Sequence, residues 1–393
     1  MVDPLSNQGV RTPLTIIAVL IAGLLGLWAL TAEEEGAAAP ATAPVEVIAR
    51  RVEALRSLRF ERLPEPVTVG TRQAQREGLA DLDRHYPAAR RRADEEIYTL
   101  LGLLEPADDL RELSRELFGK GVAGYYDPRD GRLRVVEGAG TGTRVLEEMV
   151  LAHELTHALE DQRFGLPTQP AATDDRELAR AALYEGSATS LMYSYALRHF
   201  STEEALGGLL ASAFEDTGEL PPFLEAQLLF AYVGGERFVA DLLQRARGSW
   251  GLVDTAFRLR VPASTEQILH PRAYFSADEP SRVRLRAGAV LGRAWSRARA
   301  GTWGELQTRE LLGSADAAAG WGGDRYELWR SGSSSVLVIR WRWDSARDEA
   351  EFAERLREWA AGRSGTAVVR RGGRVTLGVA GVADVARRVA AGA

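Results

Sequence analysis

Thr143-Arg-Val-Leu-Glu-Glu-Met-Val-Leu-Ala-His-Glu-Leu-Thr-His-Ala-Leu-Glu-Asp-Gln162 is the stretch whose reading decides the rest of the chain. Its apolar residues (Val145, Leu146, Val150, Leu151, Leu155, Leu159) recur with the 3.6-residue period of a helix, so a helix is expected from about Thr143 to Gln162. Inside it lies His153-Glu154-Leu155-Thr156-His157, an H-E-x-x-H pattern. Two His at i and i+4 on a helix stand one turn apart on one face, where both imidazoles reach a single Zn²⁺ at about 2.0–2.1 Å. Glu154 is turned about 100° from His153, placing it to contact a water at the ion without ligating it. With five His in the chain, the pattern would arise by chance with a frequency on the order of 0.005. Two His and a Glu on an apolar helix are also costly to bury without partners. His153 and His157 are therefore candidate metal ligands and Glu154 a candidate general base.

Downstream, Asp174 to Phe200 repeats the helical spacing and carries Tyr184-Glu-Gly-Ser-Ala-Thr189. Two carboxylates there compete for a metal role. Glu177 follows Asp174 by three residues, the spacing of a capping box, and sits in an acidic first turn that the helix dipole favours. Glu185 has no such reason to exist. Its neighbours on the helix face are Leu178, Ala181, Ala188 and Met192, so it is a charge on an apolar stripe that a cation has to meet.

Upstream, Gly124 to Val136 is aromatic and β-branched on both sides of Asp127-Pro-Arg-Asp-Gly131 and reads as a β-hairpin. Val67 to Val69 reads as a short strand, and Gln73 to Leu104 and Pro106 to Leu117 as amphipathic helices. Pro13 to Leu30 is an uncharged apolar run near the minimum length for a bilayer-spanning helix, with Trp28 close to its outer end. The expectation is a short cytoplasmic segment 1–12, a transmembrane anchor 13–32, and a small, Pro-punctuated linker 33–44. Arg11 before the run sets the remainder of the chain outside the membrane. The competing reading is a cleaved signal peptide with Leu30-Thr31-Ala32 at the cut, which would give a secreted product.

Beyond the central helices, Thr202 to Phe214 and Pro222 to Gln244 are helical in pattern, and the character changes after Pro280. Strands at Tyr326–Arg330, Ser335–Trp343, Ala367–Arg371 and Val375–Val379, with a helix opened by Ser345 and a terminal helix, give a β-β-α-β-β-α order. The expected fold class is α+β: a mostly helical catalytic domain over 45–300 with a small antiparallel hairpin or sheet, and a C-terminal α+β sandwich over 301–393 with helices on one sheet face.

Composition removes other classes. There is no Cys, so a thiol nucleophile, a disulfide framework and a thiolate metal site are excluded, and any metal is held by His and carboxylates. A net charge of −6 spread along the chain offers no basic stripe for nucleic acid.

HELTH on a helix preceded by a hairpin, with a Glu on the next helix, resembles the gluzincin branch of zinc peptidases, the thermolysin-like class. The resemblance implies a zincin-like domain with Zn²⁺ held by His153, His157 and Glu185, Glu154 as general base, and the hairpin as an edge strand pairing with an extended peptide or protein substrate. Many members carry an Asp four residues after the ligand Glu; here that position is Thr189. A closer similarity is to uncharacterised exported bacterial proteins with HELTHALxDQ, an EGxAT helix and a segment like Pro262 to Pro271, over most of residues 50–340. As donors to a reaction oxyanion the candidates are His270, which can equally complement the end of a short helix stopped by Pro271, and Tyr126, which can equally be a packed strand aromatic. His85 and His199 have no partner motif, and Trp321-Gly-Gly-Asp324 reads as a turn feeding a strand. The rival to an enzyme is a membrane-tethered binding or scaffold protein with a closed structural zinc site, although such a site has no use for Glu154.

Overall fold

The computed structural model describes residues 42–119, 124–137, 143–166, 171–213 and 220–393. The expected cytoplasmic segment, the anchor 13–32 and nearly all of the linker lie outside these residues. Among the described residues no helix is long and apolar enough to cross a membrane.

The chain is mixed α and β. Its first part runs α1 (Val45–Arg56), β1 (Pro66–Gly70), α2 (Thr71–His85), α3 (Ala88–Leu101), α4 (Leu110–Gly119), β2 (Gly124–Asp127) and β3 (Arg132–Glu137). The periodic stretch Gln73 to Leu104 is two helices, because Pro87 cannot continue α2 and instead sits as the cap residue of α3. β2 and β3 form the expected hairpin, but β1 joins β3 in parallel, so the small sheet is mixed rather than antiparallel, in the order β1-β3-β2.

α5 (Arg144–Phe164) and α6 (Asp174–His199) follow, then α7 (Thr202–Ala213), α8 (Pro222–Leu229) and α9 (Gly235–Arg245). Thr143 caps α5 by accepting the N–H of Leu146. Pro222 to Gln244 was expected as one helix; it is α8 and α9 joined by a π-helical turn, Phe230–Gly234. A π turn inside a helix carries one extra residue and often marks a functional site.

α5 and α6 form the centre of the larger core. Ala152, Leu155 and Leu159 of α5 and Ala179, Ala182, Leu183 and Leu191 of α6 pack with Ile48 and Val52 of α1 and with Phe238, Val239 and Leu242 of α9. A helix buried all round must offer small residues where another backbone crosses it. At Gly186 an added Cβ would lie 2.1 Å from the carbonyl carbon of Gly235, and at Gly235 it would lie 2.0 Å from the carbonyl oxygen of Ala182. The two glycines bring α9 onto α6 backbone to backbone, one residue from Glu185.

α10 (Gly251–Arg258), α11 (Thr265–Leu269), α12 (Pro271–Ser276) and α13 (Ala287–Leu291) lead into the second sheet, whose first strand β4 (Ser296–Gly301) begins just ahead of residue 301. Then come α14 (Gly304–Leu312), β5 (Trp321–Ser331), β6 (Ser334–Trp343), α15 (Ala346–Ala360), β7 (Thr366–Arg370), β8 (Arg374–Ala380) and α16 (Ala383–Gly392). The sheet is antiparallel throughout, in the order β4-β5-β6-β8-β7. Ser345 caps α15 by accepting the N–H of Asp348.

Both faces of this sheet are covered, which corrects the expectation of helices on one face. Leu337, Ile339 and Trp341 point into a core with Phe352 and Leu356 of α15 and Ile97 and Leu101 of α3. Val336 and Val338 point the other way, to Ala386 and Val389 of α16 and Ala287 of α13. The continuous apolar run Val336 to Ile339 is the sequence signature of a strand buried on two faces. Trp321 to Asp324 also differs from expectation: it opens β5, and Asp324 accepts the N–H groups of Trp303 and Gly304 and the Trp321 indole, a structural role.

One buried ion network fixes α5 from behind. Arg56 is fully buried, holds Glu160 of α5 at 2.8 Å and Asp254 of α10 at 2.7 Å, and lies 4.4 Å over the Trp250 ring. Ser187 of α6 donates to the same Glu160 at 2.5 Å. Replacing Arg56 with Ala leaves Glu160 buried without its cation and is expected to lower the unfolding free energy by about 3–5 kcal/mol in a urea titration. The exposed Arg59→Ala serves as the control, at under about 1 kcal/mol; equal effects for the two variants would contradict the role given to Arg56.

Candidate metal centre

α5 and α6 face each other with His153, His157 and Glu185 at their contact. All three are buried and each offers one ligand atom to a common point. The two Nε2 atoms are 3.1 Å apart, and each is 3.3 Å from Glu185 Oε2. Donors at about 2.0–2.1 Å from a tetrahedral ion lie about 3.3–3.4 Å from one another, so the triangle has the size of one face of such a tetrahedron. Both imidazole N–H groups can donate to Glu185 Oε2, but that leaves two like donor nitrogens 3.1 Å apart with no hydrogen bond between them. A cation is the partner that satisfies them together, and the neutral-imidazole and carboxylate donor set suits zinc.

Charge within the cluster supports that view. Burial opposes a charge on His157, but the adjacent Glu185 carboxylate overcomes it and raises the imidazole to about 9. Glu185 is held well below the usual carboxylate range: burial acts to raise it, and the His157 charge and the hydrogen bonds from both imidazoles outweigh that.

Glu154 lies beside the ligands and outside their triangle. It is 5% exposed, and its Oε2 accepts the backbone N–H of Tyr126 at 2.8 Å. Burial pushes its carboxyl above the usual range, against the lowering effect of His153, His157 and that N–H. A carboxylate raised in this way is better matched to proton transfer near neutral pH. Because Tyr126 gives its N–H to Glu154 and not to its register partner Leu133, its peptide groups face the outer edge of β2, the edge strand of the small sheet.

The remaining candidates fall elsewhere. The Tyr126 hydroxyl is taken by Asp161, two turns further along α5, at 2.9 Å, so the contact with the centre is through backbone and not through the phenol. His270 Nε2 binds Glu305 of α14 at 2.8 Å. That pair belongs with Asp175 and Thr265 at the first turn of α6, on the order of 15 Å along the helix from Glu185. The structure does not bring His270 to the three ligands. Pro271, expected to stop a helix, also begins α12.

Glu177 is likewise corrected. The cap of α6 is Thr173, which accepts the N–H of Arg176, while Glu177 is 4% exposed, binds Arg180 at 2.7 Å and accepts the N–H of Ala171 at 2.6 Å. It is a buried ion pair apart from the ligands, not a surface capping box. His85 bonds Asp81 within its own helix and His199 packs on Tyr195.

Sequence reasoning missed Tyr232. It sits in the π turn, and its ring stacks on His153 with centroids 6.0 Å apart and planes 14° from parallel. The adjacent Gly234-Gly235 pair was the available signal, since glycines inside a helical pattern imply a close approach or a break. At the position where the gluzincin resemblance expects an Asp, the Thr189 hydroxyl is buried without a hydrogen-bond partner among the described residues, and so is Nδ1 of His153.

Residues 290–392 match a family described as a domain of unknown function (DUF8575). The match spans the five-stranded sheet and its helices and contains none of the metal-centre residues. No curated protein and no solved structure matches the chain.

Metal binding has to displace the proton that Glu185 holds on His157. Below the value of about 9 that proton is present and must leave, so affinity falls as pH falls. Between pH 6 and 8 zinc affinity is expected to rise about tenfold per pH unit, measured by competition with a chromophoric chelator. A pH-independent affinity would show that no proton leaves His157 when the ion binds.

Proposed function

We propose that the chain is a zinc-dependent peptidase of gluzincin type, acting on peptide or protein substrates outside a membrane to which residues 13–32 tether it. The observation that carries this reading is the convergence of His153, His157 and Glu185 to within 3.1–3.3 Å of one another, with Glu154 beside them and bound to an edge strand. A structural zinc site needs the three donors and a fourth ligand; it gives no reason to bury Glu154 next to them.

When bound, the ion supplies Lewis acidity, making a water more acidic and polarising a carbonyl. The chain's own groups do the rest. Glu154 accepts the proton of the attacking water and delivers it to the leaving amine, a role that requires a carboxylate in reach but outside the ligand triangle. The outward peptide groups of β2 other than the Tyr126 N–H, which Glu154 holds, offer hydrogen bonds to an extended backbone, which positions the scissile bond over the site. The π turn lays Tyr232 against His153 and so fixes the orientation of that ring.

Glu154→Gln is expected to keep its zinc and to lose about 10²–10⁴-fold in the cleavage of an unfolded protein, since the side chain moves a proton and does not hold the ion. Metal analysis alongside the assay checks both halves; loss of zinc in parallel with activity would sink the assignment. Glu185→Ala is expected to empty the site, whereas Glu177→Ala keeps the metal and destabilises the fold by about 1–3 kcal/mol through loss of its bonds to Arg180 and to the Ala171 N–H. Zinc retained in Glu185→Ala and lost in Glu177→Ala would reverse the third-ligand assignment.

A further inference from the structure

A second group of oxygen donors stands at the seam between the helical part and the five-stranded sheet. Carboxylate oxygens of Glu266, Asp278 and Asp344 all lie within 4.8 Å of one another. Glu266 comes from α11, Asp278 from the loop after α12, and Asp344 from the residue that follows β6. In a chain where Arg pairs with most buried acids, none of these three carboxylates has a hydrogen bond or ion pair among the described residues.

Glu266 is the telling member. It is 7% exposed, unpartnered, and aimed at the two aspartates. Burial first, then the carboxylates of Glu305, Asp344, Asp278 and Asp175, push its carboxyl up to about 9. No basic side chain stands among those causes, and the one beside Asp344 is Arg342. The same neighbourhood holds two further buried oxygens without partners, Asp175 Oδ2 and Glu305 Oε2. The backbone here is drawn tight: Ser281 donates its N–H to the Gly322 carbonyl at 2.8 Å, and a Cβ at Gly323 would lie 2.4 Å from the Ser281 carbonyl. The loop bearing Asp278 is thus already pinned to the start of β5.

We propose that Glu266, Asp278 and Asp344 form a calcium site that clamps the helical part to the five-stranded sheet. The donors are all hard oxygens with no imidazole, which selects against zinc. Calcium accepts six to eight oxygens at about 2.3–2.6 Å in irregular geometry, so donors on one ion lie at most about 5 Å apart. Three carboxylates from three separate elements, with water completing the shell, meet that description; magnesium's stricter octahedron does not suit them. The proposal is independent of the peptidase reading, because it involves neither the zinc ligands nor Glu154.

The test is titration of the zinc-loaded full chain with calcium chloride, read by calorimetry and by thermal unfolding, with magnesium chloride at equal ionic strength as the control. Millimolar calcium is expected to raise the midpoint of unfolding by roughly 2–4 °C, and magnesium by clearly less. Asp344→Asn, at an exposed position, should keep the wild-type midpoint without calcium and weaken calcium binding at least about tenfold. Glu266→Gln should keep the wild-type midpoint without calcium, because a neutral amide replaces a carboxyl that is protonated there, and should show no calcium response. The proposal is overturned if wild type shows no calcium heat and no shift, if magnesium acts equally, or if both variants respond as wild type does. In each of those cases Glu266 is simply a protonated acid.

Discussion

A charged carboxylate is costly to isolate inside two packed helices, and Glu185 is such a carboxylate. It is 2% exposed on a helix buried over nearly its whole middle section, and the groups that meet it are His153 and His157 from the facing helix. The cost of isolating that charge is several kcal/mol, more than most single contacts in the molecule supply. The helix pair is therefore built around the requirement that positive charge, from protons or from a metal ion, sits between α5 and α6. Every neighbouring element either holds those two helices in register or closes the space beside them.

Register is held from two sides. Behind α5, Arg56 joins α1, α5 and α10 through Glu160 and Asp254, with Ser187 of α6 bonded to the same Glu160. Behind α6, the close approach of Gly186 and Gly235 leaves no room for a side chain and sets the depth at which Glu185 is presented. The same crossing sets the start of α9 and so places the π turn, from which Tyr232 reaches His153. The geometry of the three candidate ligands is thus a property of the helix packing, and such preorganisation is what the proposed site requires.

The five-stranded sheet touches this arrangement indirectly. Its inner face packs on α3, and Asp174 at the start of α6 binds Arg90 of α3 and Arg299 of β4, with the Tyr326 hydroxyl on its other oxygen. That network anchors the N-terminal end of the helix whose middle carries Glu185. A sheet covered on both faces is a rigid support, and its attachment to α6 and α11 gives the C-terminal unit a mechanical connection to the centre without a residue in it.

The sequence by itself determined the local features: the helix around His153 and His157, the return helix with Glu185, the hairpin, and four of the five strands of the C-terminal sheet, β4 being missed. These follow from periodicity, turn chemistry and charge placement, all of which act between residues close in the chain. Tertiary structure decided what depends on contacts distant in sequence. β1 added in parallel to β3, α16 covered the second sheet face, and Glu177 became a buried ion pair. His270 was drawn to Glu305, and a π turn broke the helix expected from Pro222 to Gln244. Periodicity tells which face of an element is apolar but not which element will cover it, and for a polar side chain that choice of neighbour separates a ligand from a structural pair.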